Sequence, residues 1–174
     1  AVKPAKGSGG KGILVITGRR GDNFIKSSGK EINIEEIRRH MSNTLAGLYS
    51  LGGKADVSIV EDLVECDPSL AEYSHQGVPD IRVVVFRGFP VMAMLRLATR
   101  ASDGKANLHQ GAVGVGLDIA TGRCRWAVQF ARPIERHPDN QKPLDQIRLA
   151  DWRQLLILAA GCYEMTGLGY MGAD

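Results

Sequence analysis

A lysine and a cluster of glycines stand between two short apolar segments at the start of the chain, in the sequence AVKPAKGSGGKGILVIT of residues 1–17. Glycine readily adopts positive φ angles and lets backbone N–H groups come close to an anion. A lysine just upstream supplies a compact positive charge for phosphate oxygens. The segment therefore predicts a phosphate-binding loop, with candidate residues Lys3, Gly7, Ser8, Gly9, Gly10 and Gly12.

Three of these glycines also fit the pattern G-x-G-x-x-G, which alone is a weak signal. A dinucleotide-binding fold needs a helix after the third glycine, and a Walker A loop ends in Gly-Lys-Ser/Thr. Here the apolar, mostly β-branched segment 13–17 follows Gly12 and favours a strand. The pattern indicates a glycine loop between two strands that covers a nucleotide, although the other kinase signature segments are absent. An ordinary flexible hairpin loop is the alternative.

Composition limits the class of protein. The chain has 174 residues, of which 44% are apolar and 24% charged, and its formal net charge is +3. These proportions are typical of one globular domain or two small lobes and not of a disordered chain. Because basic and acidic residues are interspersed and no segment combines basic with aromatic residues, nucleic-acid binding is not indicated.

Cysteine content and hydropathy bear on the cellular location. The three cysteines, Cys66, Cys124 and Cys162, lie far apart in the sequence, which favours a reduced, cytoplasmic setting. The longest apolar segment, residues 155–162, is too short to span a membrane, and no signal peptide is visible. The start at Ala1 is expected of an excerpt or a processed form.

The elements that must position the loop begin with a helix. Asn33 can cap this helix together with Glu36, which stands three residues later as in a capping box. One apolar stripe should face the core, and Gly52 and Gly53 should end the helix. The residues of this stripe are Ile34, Ile37, Met41, Leu45 and Leu48.

Strands and a second helix are predicted for the rest of the chain. A polar hairpin is expected at 18–30 and a short helix within 69–77, and residues 132–144 should form a polar loop. Asp151 is predicted to cap a helix that ends at Gly167. The predicted strands are 56–64, 81–86, 91–97, 111–119, 123–130 and 169–174, with the second and third forming a hairpin. This pattern predicts an α+β fold and not a βαβ repeat.

Four segments in this order resemble the ATP-grasp superfamily, and most closely its alpha-L-glutamate ligase branch. They are VKPAKGSGGKGILV (2–15), IVEDLVE (59–65), PDIRVVVFRGFPVMAMLR (79–96) and KANLHQGAVGVG (105–116). The Asp-Ile-Arg and Asn-Leu-His elements are the most specific parts. The resemblance implies two small α+β lobes with antiparallel sheets flanking a nucleotide cleft. Residues 1–64 would form the glycine-rich flap lobe and residues 65–174 the second lobe.

The resemblance also implies which residues bind the nucleotide. Lys3 would contact the α- and β-phosphates, and the glycine loop would close over them. Asp80 would accept hydrogen bonds from the ribose hydroxyls. The connector that binds adenine would consist of Glu61, Asp62, Leu63 and Val64. On local sequence alone, this connector could equally be a strand end with acidic neighbours.

The remaining matched residues would lie at the reacting centre. Arg82 and Arg96 would face the transferring phosphoryl group or an acidic substrate. Asn107 and His109 would border the reacting centre. Asp174 matches the first metal-binding acid of the family. Each has a simpler alternative: an Asp-x-Arg pair as a surface ion pair, a solvated loop histidine and an exposed carboxylate.

The activity implied by the resemblance is that of an ATP-dependent carboxylate–amine ligase that forms an acyl phosphate. ATP and Mg²⁺ would be its cofactors, and a glutamate-like amino acid and an unknown acceptor its substrates. The glutamate and asparagine that complete the family's Mg²⁺ site are not in this sequence, so low activity of this chain alone is expected. The alternatives are a nucleotide-binding module without ligase activity, which could regulate or scaffold a partner, and an enzyme that stops at phosphoryl transfer.

Overall fold

The computed structural model describes residues 1–174 and contains two compact units, Ala1–Glu65 and Cys66–Asp174. Its helices and antiparallel strands form the predicted α+β fold. No helix has both the length and the apolar character that a lipid bilayer would require.

The first unit contains five short strands and one long helix. The strands β1 (Val2–Pro4) and β5 (Ser58–Val60) form an antiparallel pair. A separate sheet consists of β2 (Ile16–Arg20), β3 (Asn23–Lys26) and β4 (Glu31–Ile32), in that order, and the helix α1 spans Ile34–Leu45. A small core joins them, made of Val2, Leu14, Ile32 and Ile37.

The helix α1 begins as predicted. The Glu36 N–H donates to the Asn33 side chain over 2.9 Å, and the Asn33 N–H donates to the Glu36 carboxylate over 3.0 Å. The helix ends at Leu45 and not at Gly52 and Gly53, because the chain leaves the helix at Gly47. There φ is +86°, and a Cβ atom would lie 2.3 Å from a backbone oxygen of Lys54. The predicted stripe is only partly buried, since three of its members are largely exposed: Ile34, Leu45 and Leu48.

The second unit contains a six-stranded antiparallel sheet. Its strands are β6 (Asp80–Phe86), β7 (Phe89–Leu97), β8 (Val113–Leu117), β9 (Cys124–Gln129), β10 (Arg132–Ile134) and β11 (Tyr170–Ala173). Their order across the sheet is β10-β9-β8-β7-β6-β11. The helices of this unit are α2 (Pro68–Ala71) and α3 (Trp152–Thr166), and single 3-10 turns lie at Leu108–Gln110 and Leu144–Gln146. A further 3-10 turn, Leu51–Gly53, belongs to the first unit.

The two faces of this sheet differ because side chains alternate along each strand. One face is buried with α3 in the main core, to which Val83, Val85, Leu95, Val113 and Val115 contribute. The opposite face, called the open face below, carries charged and exposed apolar side chains. The members of the open face include Asp80, Arg82, Met92, Met94, Arg96, Gly114, Gly116 and Trp126.

Several sequence-based element predictions need correction. The predicted strand at 56–64 is shorter, since only Ser58–Val60 pairs with a neighbour, and Leu14 forms a single bridge ahead of β2. The predicted loop at 132–144 contains strand β10. Asp151 does not cap α3, because its φ of +49° is left-handed and its side chain makes no capping hydrogen bond.

A buried histidine, His137, should make the stability of the second unit depend on pH. Its side chain is 1% exposed, and Nε2 has no hydrogen-bond partner. Burial lowers the pKa of His137, although the charge of Asp139 acts in the opposite direction. The unfolded chain therefore takes up a proton near pH 6.5 that the folded chain takes up only at lower pH. We expect the free energy of unfolding to decrease as the pH falls below about 6.5.

Urea unfolding at about pH 7.5 and about pH 5.5 measures this effect across the range in which histidine titrates. The variant His137→Asn should show a smaller difference between the two midpoints than the unmodified protein. His109→Asn, at an exposed histidine of the same unit, is the matched control and should keep the full difference. If both variants reduce the difference between the two midpoints by the same amount, His137 is not the source of the pH dependence.

Candidate functional site

The stem of the glycine loop is held by several residues of the first unit. The N–H of Lys6 donates to the Asp56 carboxylate over 3.0 Å, and the Lys6 carbonyl accepts from Leu51 N–H over 3.1 Å. At the other end of the loop, the Gly12 carbonyl lies 2.9 Å from His40 Nε2. The rings of His40 and Tyr49 stack with their centroids 5.2 Å apart. Both ends of the loop are therefore fixed to the body of the unit.

Asp56 is the anchor on the first side of the stem. It is 8% exposed, and its carboxylate also accepts hydrogen bonds from the Ser50 hydroxyl and from Val57 N–H. The hydrogen bond from Ser50 is the main cause that lowers the pKa of Asp56. The carboxylate is thus an acceptor for the loop backbone.

The tip of the loop, residues 8–11, is exposed and has few contacts. Its backbone hydrogen bond joins Lys11 N–H to the Ser8 carbonyl over 3.2 Å. Gly9 and Gly10 have φ angles of +60° and +73°, and a Cβ atom on Gly9 would meet nothing within 4 Å. An anchored stem with an open, glycine-rich tip agrees with an anion-binding loop. Binding of phosphate by Gly7, Ser8, Gly9, Gly10 and Gly12 remains a prediction.

Two glycines of this loop offer a matched pair of substitutions. At Gly12 φ is +76°, and a Cβ atom would lie 2.4 Å from the Tyr49 ring, whereas Gly9 is open. Gly9→Ala should cost about 1 kcal/mol from the left-handed backbone alone. Gly12→Ala adds displacement of the Tyr49 ring and should cost about 3 kcal/mol. Urea unfolding measures both, and equal losses would show that Tyr49 does not restrict Gly12.

Lys3 and the predicted connector lie next to each other in the first unit. The Lys3 ammonium forms an ion pair with the Glu61 carboxylate at 2.7 Å, and both side chains are about two-fifths exposed. Residues Glu61, Asp62, Leu63 and Val64 follow β5 and are all exposed, outside any helix or strand. The fold thus brings the predicted phosphate lysine to the start of the predicted adenine-binding segment. Their roles toward a nucleotide stay predictions.

Four charged residues form one connected cluster on the open face of the second unit. Arg96 donates two hydrogen bonds to Asp80, one of them 2.7 Å long, and its Nη2 lies 3.1 Å from the Asp174 carboxylate. Arg82 donates two hydrogen bonds to Asp174, at 2.6 and 2.5 Å. Asp80 and Arg82 share a face of β6 but do not pair with each other, since Arg96 binds Asp80 and Arg82 binds Asp174. The cluster therefore joins three strands.

The electrostatics of the cluster centre on Arg96 and Asp174. The Arg96 side chain is 13% exposed, the least of the four. The hydrogen bonds from Arg82 are the main cause that lowers the pKa of Asp174, and the nearby Arg96 charge acts in the same direction. The same contact raises the pKa of Arg82. Arg82 and Asp174 thus stabilise each other's charged forms, and the forked guanidinium groups are already oriented by their carboxylate partners.

The predicted Mg²⁺ ligand, Asp174, is engaged by arginine. Both of its carboxylate oxygens accept hydrogen bonds from Arg82, and the Asp80 carboxylate is likewise engaged by Arg96. Mg²⁺ prefers six oxygen ligands, and no group of three or more His, Cys, Asp or Glu side chains is placed to hold a metal ion. The residues present therefore do not form a Mg²⁺ site by themselves, and the role of Asp174 stays a prediction.

The Asn107 and His109 segment lies beside the charged cluster. Gly114 is the register partner of Arg96, and a Cβ atom on Gly114 would lie 3.1 Å from the Leu108 side chain. The turn therefore passes over the open face next to Arg96. The Asn107 side chain accepts a hydrogen bond from His109 N–H over 3.0 Å, and the His109 side chain is exposed. A catalytic role for either residue stays a prediction.

Sequence reasoning missed three residues that shape the glycine loop: His40, Tyr49 and Asp56. The sequence places His40 and Tyr49 within the predicted helix and Asp56 at the start of a predicted strand, so it gives no sign that they lie near the loop. Only the folded register brings them to the stem. Two glycines of β8 allow close packing, since the Leu108 side chain lies on Gly114 and the Trp126 side chain on Gly116.

Comparison with known proteins gives one family. A family model described as sugar-transfer associated ATP-grasp matches residues 1–174. No curated protein and no solved structure matches significantly. The match confirms the resemblance to the ATP-grasp superfamily, whereas the narrower resemblance to the glutamate ligase branch stays a prediction.

Proposed function

The chain belongs to the sugar-transfer associated ATP-grasp family, and on that basis we propose that it acts as an ATP-dependent carboxylate–amine ligase. In the first step, a substrate carboxylate oxygen attacks the γ-phosphorus of ATP. The bond from that phosphorus to the bridging oxygen breaks, and ADP leaves with that electron pair. In the second step, an amine nitrogen attacks the carbonyl carbon of the acyl phosphate. Phosphate leaves, the nitrogen loses a proton and an amide bond remains. A glutamate-like amino acid is the proposed substrate for one side of this bond.

The observation that carries the proposal is the charged cluster on the open face of the second unit. Phosphoryl transfer depends mainly on positioning and on neutralising negative charge. The Arg96 fork is held by Asp80, and Arg82 stands on the neighbouring strand. Because Asp80 orients the Arg96 fork before a substrate arrives, Arg96 would not need to reorient to stabilise charge. This arrangement suits a carboxylate or phosphoryl group that displaces Asp174 from the two arginines.

The first unit has a separate part in the proposal. Lys3 would exchange the Glu61 carboxylate for phosphate oxygens, and the backbone N–H groups of the glycine loop would donate to the same phosphates. An anchored stem would let the tip close over bound phosphates without loss of register. No step of the proposal depends on a metal ion held by these residues.

The proposal is tested by incubating the protein with ATP, Mg²⁺, glutamate and candidate acceptors in the presence of hydroxylamine. A ligase should release ADP and yield the hydroxamate of the activated carboxylate. Lys3→Ala and Arg82→Ala should each lower ADP release by about tenfold or more, as expected for lost charge stabilisation. Near-normal release in both variants would contradict the roles proposed for them.

A nucleotide-binding module without ligase activity is the second candidate. It is favoured by the engagement of Asp80 and Asp174 with arginines, together with the lack of any group of three or more side chains placed to hold a metal ion. Calorimetry separates the two: such a module binds ADP and Mg-ATP but forms no ADP. An enzyme that stops at phosphoryl transfer would form ADP without a hydroxamate.

A further inference from the structure

Trp126 of β9 presents a flat aromatic surface on the open face. Gly116 of β8 is its register partner. A Cβ atom on Gly116 would lie 2.7, 2.9 and 3.1 Å from three ring atoms of the indole, Cε2, Cζ2 and Cδ2. Three similar distances from one point mean that the face of the ring rests on the glycine. Since the residue is 62% exposed, the other face of the indole is turned to solvent.

The other tryptophan of the chain, Trp152, has a structural role and differs from Trp126 in exposure and hydrogen bonding. Trp152 is 8% exposed, and its Nε1 donates to the Ile119 carbonyl over 2.9 Å. Trp126 makes no such hydrogen bond and leaves most of its surface uncovered. A large aromatic ring that is fixed in orientation but exposed is a common feature of binding surfaces.

Polar residues share a groove with Trp126 at the edge of the sheet. The strand β10 pairs with β9 only as far as Ala127, so the chain diverges beside Trp126. An open groove of about 440 Å³ lies along this edge, lined by Trp126, Glu135, Arg136 and Asp145 and also by the core residues Ala127 and Leu144. Glu135 and Asp145 are exposed and form no ion pair, and the exposed Arg136 guanidinium donates one hydrogen bond, from Nη1 to the Gln141 carbonyl over 2.9 Å, which leaves its other N–H groups as donors. The groove therefore offers an apolar platform with both acceptors and a donor at its rim.

The platform shares its sheet face with the charged cluster. In register, Trp126 faces Gly116, Gly116 faces Met94, and Met94 faces Arg82. Neighbouring strands lie about 4.8 Å apart, so about 14 Å separates the backbone of Trp126 from that of Arg82. An extended substrate could contact the indole at one end and the arginines at the other.

We propose that Trp126 is the stacking platform for a pyranose ring of the acceptor substrate. A pyranose has an apolar C–H face that suits an indole and a rim of hydroxyls that suits carboxylates and a guanidinium. This matches the groove better than a fully apolar or a fully charged ligand does. The identification of the ring as part of the acceptor rests on the proposed ligase function. The binding of the ring to Trp126 does not.

The test is a titration of the protein with D-glucuronic acid and with D-glucosamine, followed by saturation-transfer NMR and by tryptophan fluorescence. At least one sugar should bind saturably to the unmodified protein. Trp126→Ala should weaken that binding by about tenfold or more, and Trp126→Phe, which keeps an aromatic ring, by about threefold or less. The matched control is Phe89→Ala, at another aromatic residue that is 72% exposed in the same sheet. This control should bind the sugar unchanged.

Several results would overturn the proposal: equal sugar binding by Trp126→Ala and the unmodified protein, or no saturable binding of either sugar. Weakened ATP binding in Trp126→Ala with unchanged sugar binding would assign the ring to the nucleotide instead. Loss of self-association in that variant would assign it to a second copy of the chain. Sugar binding is measured separately from ligase activity. If sugar binding depends on Trp126 but the protein releases no ADP, the binding site is supported and the ligase function is not.

Discussion

Replacement of Arg96 by alanine is expected to lower ATP-dependent ADP release by about a hundredfold, the effect typical of removing one oriented donor from a transition state. Arg96 is 13% exposed and is the only residue of the charged cluster that contacts both Asp80 and Asp174. Without it, two carboxylates remain close together with one fewer cation between them. The variant thus loses both a donor and the charge balance of the site. Coupled measurement of ADP gives the rate.

Two further variants show which property of Arg96 matters. Arg96→Lys keeps the charge but loses the fork that binds Asp80, so we expect an intermediate rate. Arg132→Ala removes an exposed arginine of the same sheet that forms no ion pair, and it should leave ADP release unchanged. The role of Arg96 would be rejected if Arg96→Ala and Arg132→Ala gave the same rate.

The second large effect concerns stability. Leu95→Ala is expected to destabilise the second unit by about 3 kcal/mol, because it removes a fully buried side chain and leaves a cavity. Leu95 is 0% exposed in the main core, on the face of β7 opposite to Arg96. The change in the free energy of unfolding is measured by urea titration.

Met92 provides the control on the same strand. It is 61% exposed on the open face, so Met92→Ala should change the free energy of unfolding by about 0.5 kcal/mol or less. Comparable losses in the two variants would mean that the faces of the sheet are assigned the wrong way round. The comparison therefore tests the premise on which both proposed sites depend.

The parts of the fold that sequence could predict are those with a local signal. The capping box of α1 and the hairpin of β6 and β7 have such signals and are confirmed. The sequence did not predict β10, because the turn between β9 and β10 lacks the residues that usually form such a turn. Phe130 and Ala131 both have positive φ angles, of +50° and +60°. A two-residue turn of this kind usually contains asparagine or glycine, so nothing in the sequence marked a hairpin.

The candidate site was predictable as a set of residues but not as an arrangement. The family resemblance selected Asp80, Arg82, Arg96 and Asp174 one by one. Their pairing depends on strand register, and Arg82 and Asp174 are 92 residues apart in the chain. The sequence does not single out Trp126, since its position on the open face depends on Gly116 as its cross-strand partner.

The order of strands in the second unit has a consequence for how the charged cluster assembles. From β6 to β10 every strand neighbours the next in sequence, so these pairings close short loops and can form early during folding. The strand β11 instead returns to β6 from the far end of the unit, at a larger cost in loop entropy. The contact of Asp80 with Arg96 therefore belongs to the early hairpin, whereas Asp174 arrives with the last strand to pair. A nascent chain would expose Arg82 without its partner until that strand has docked.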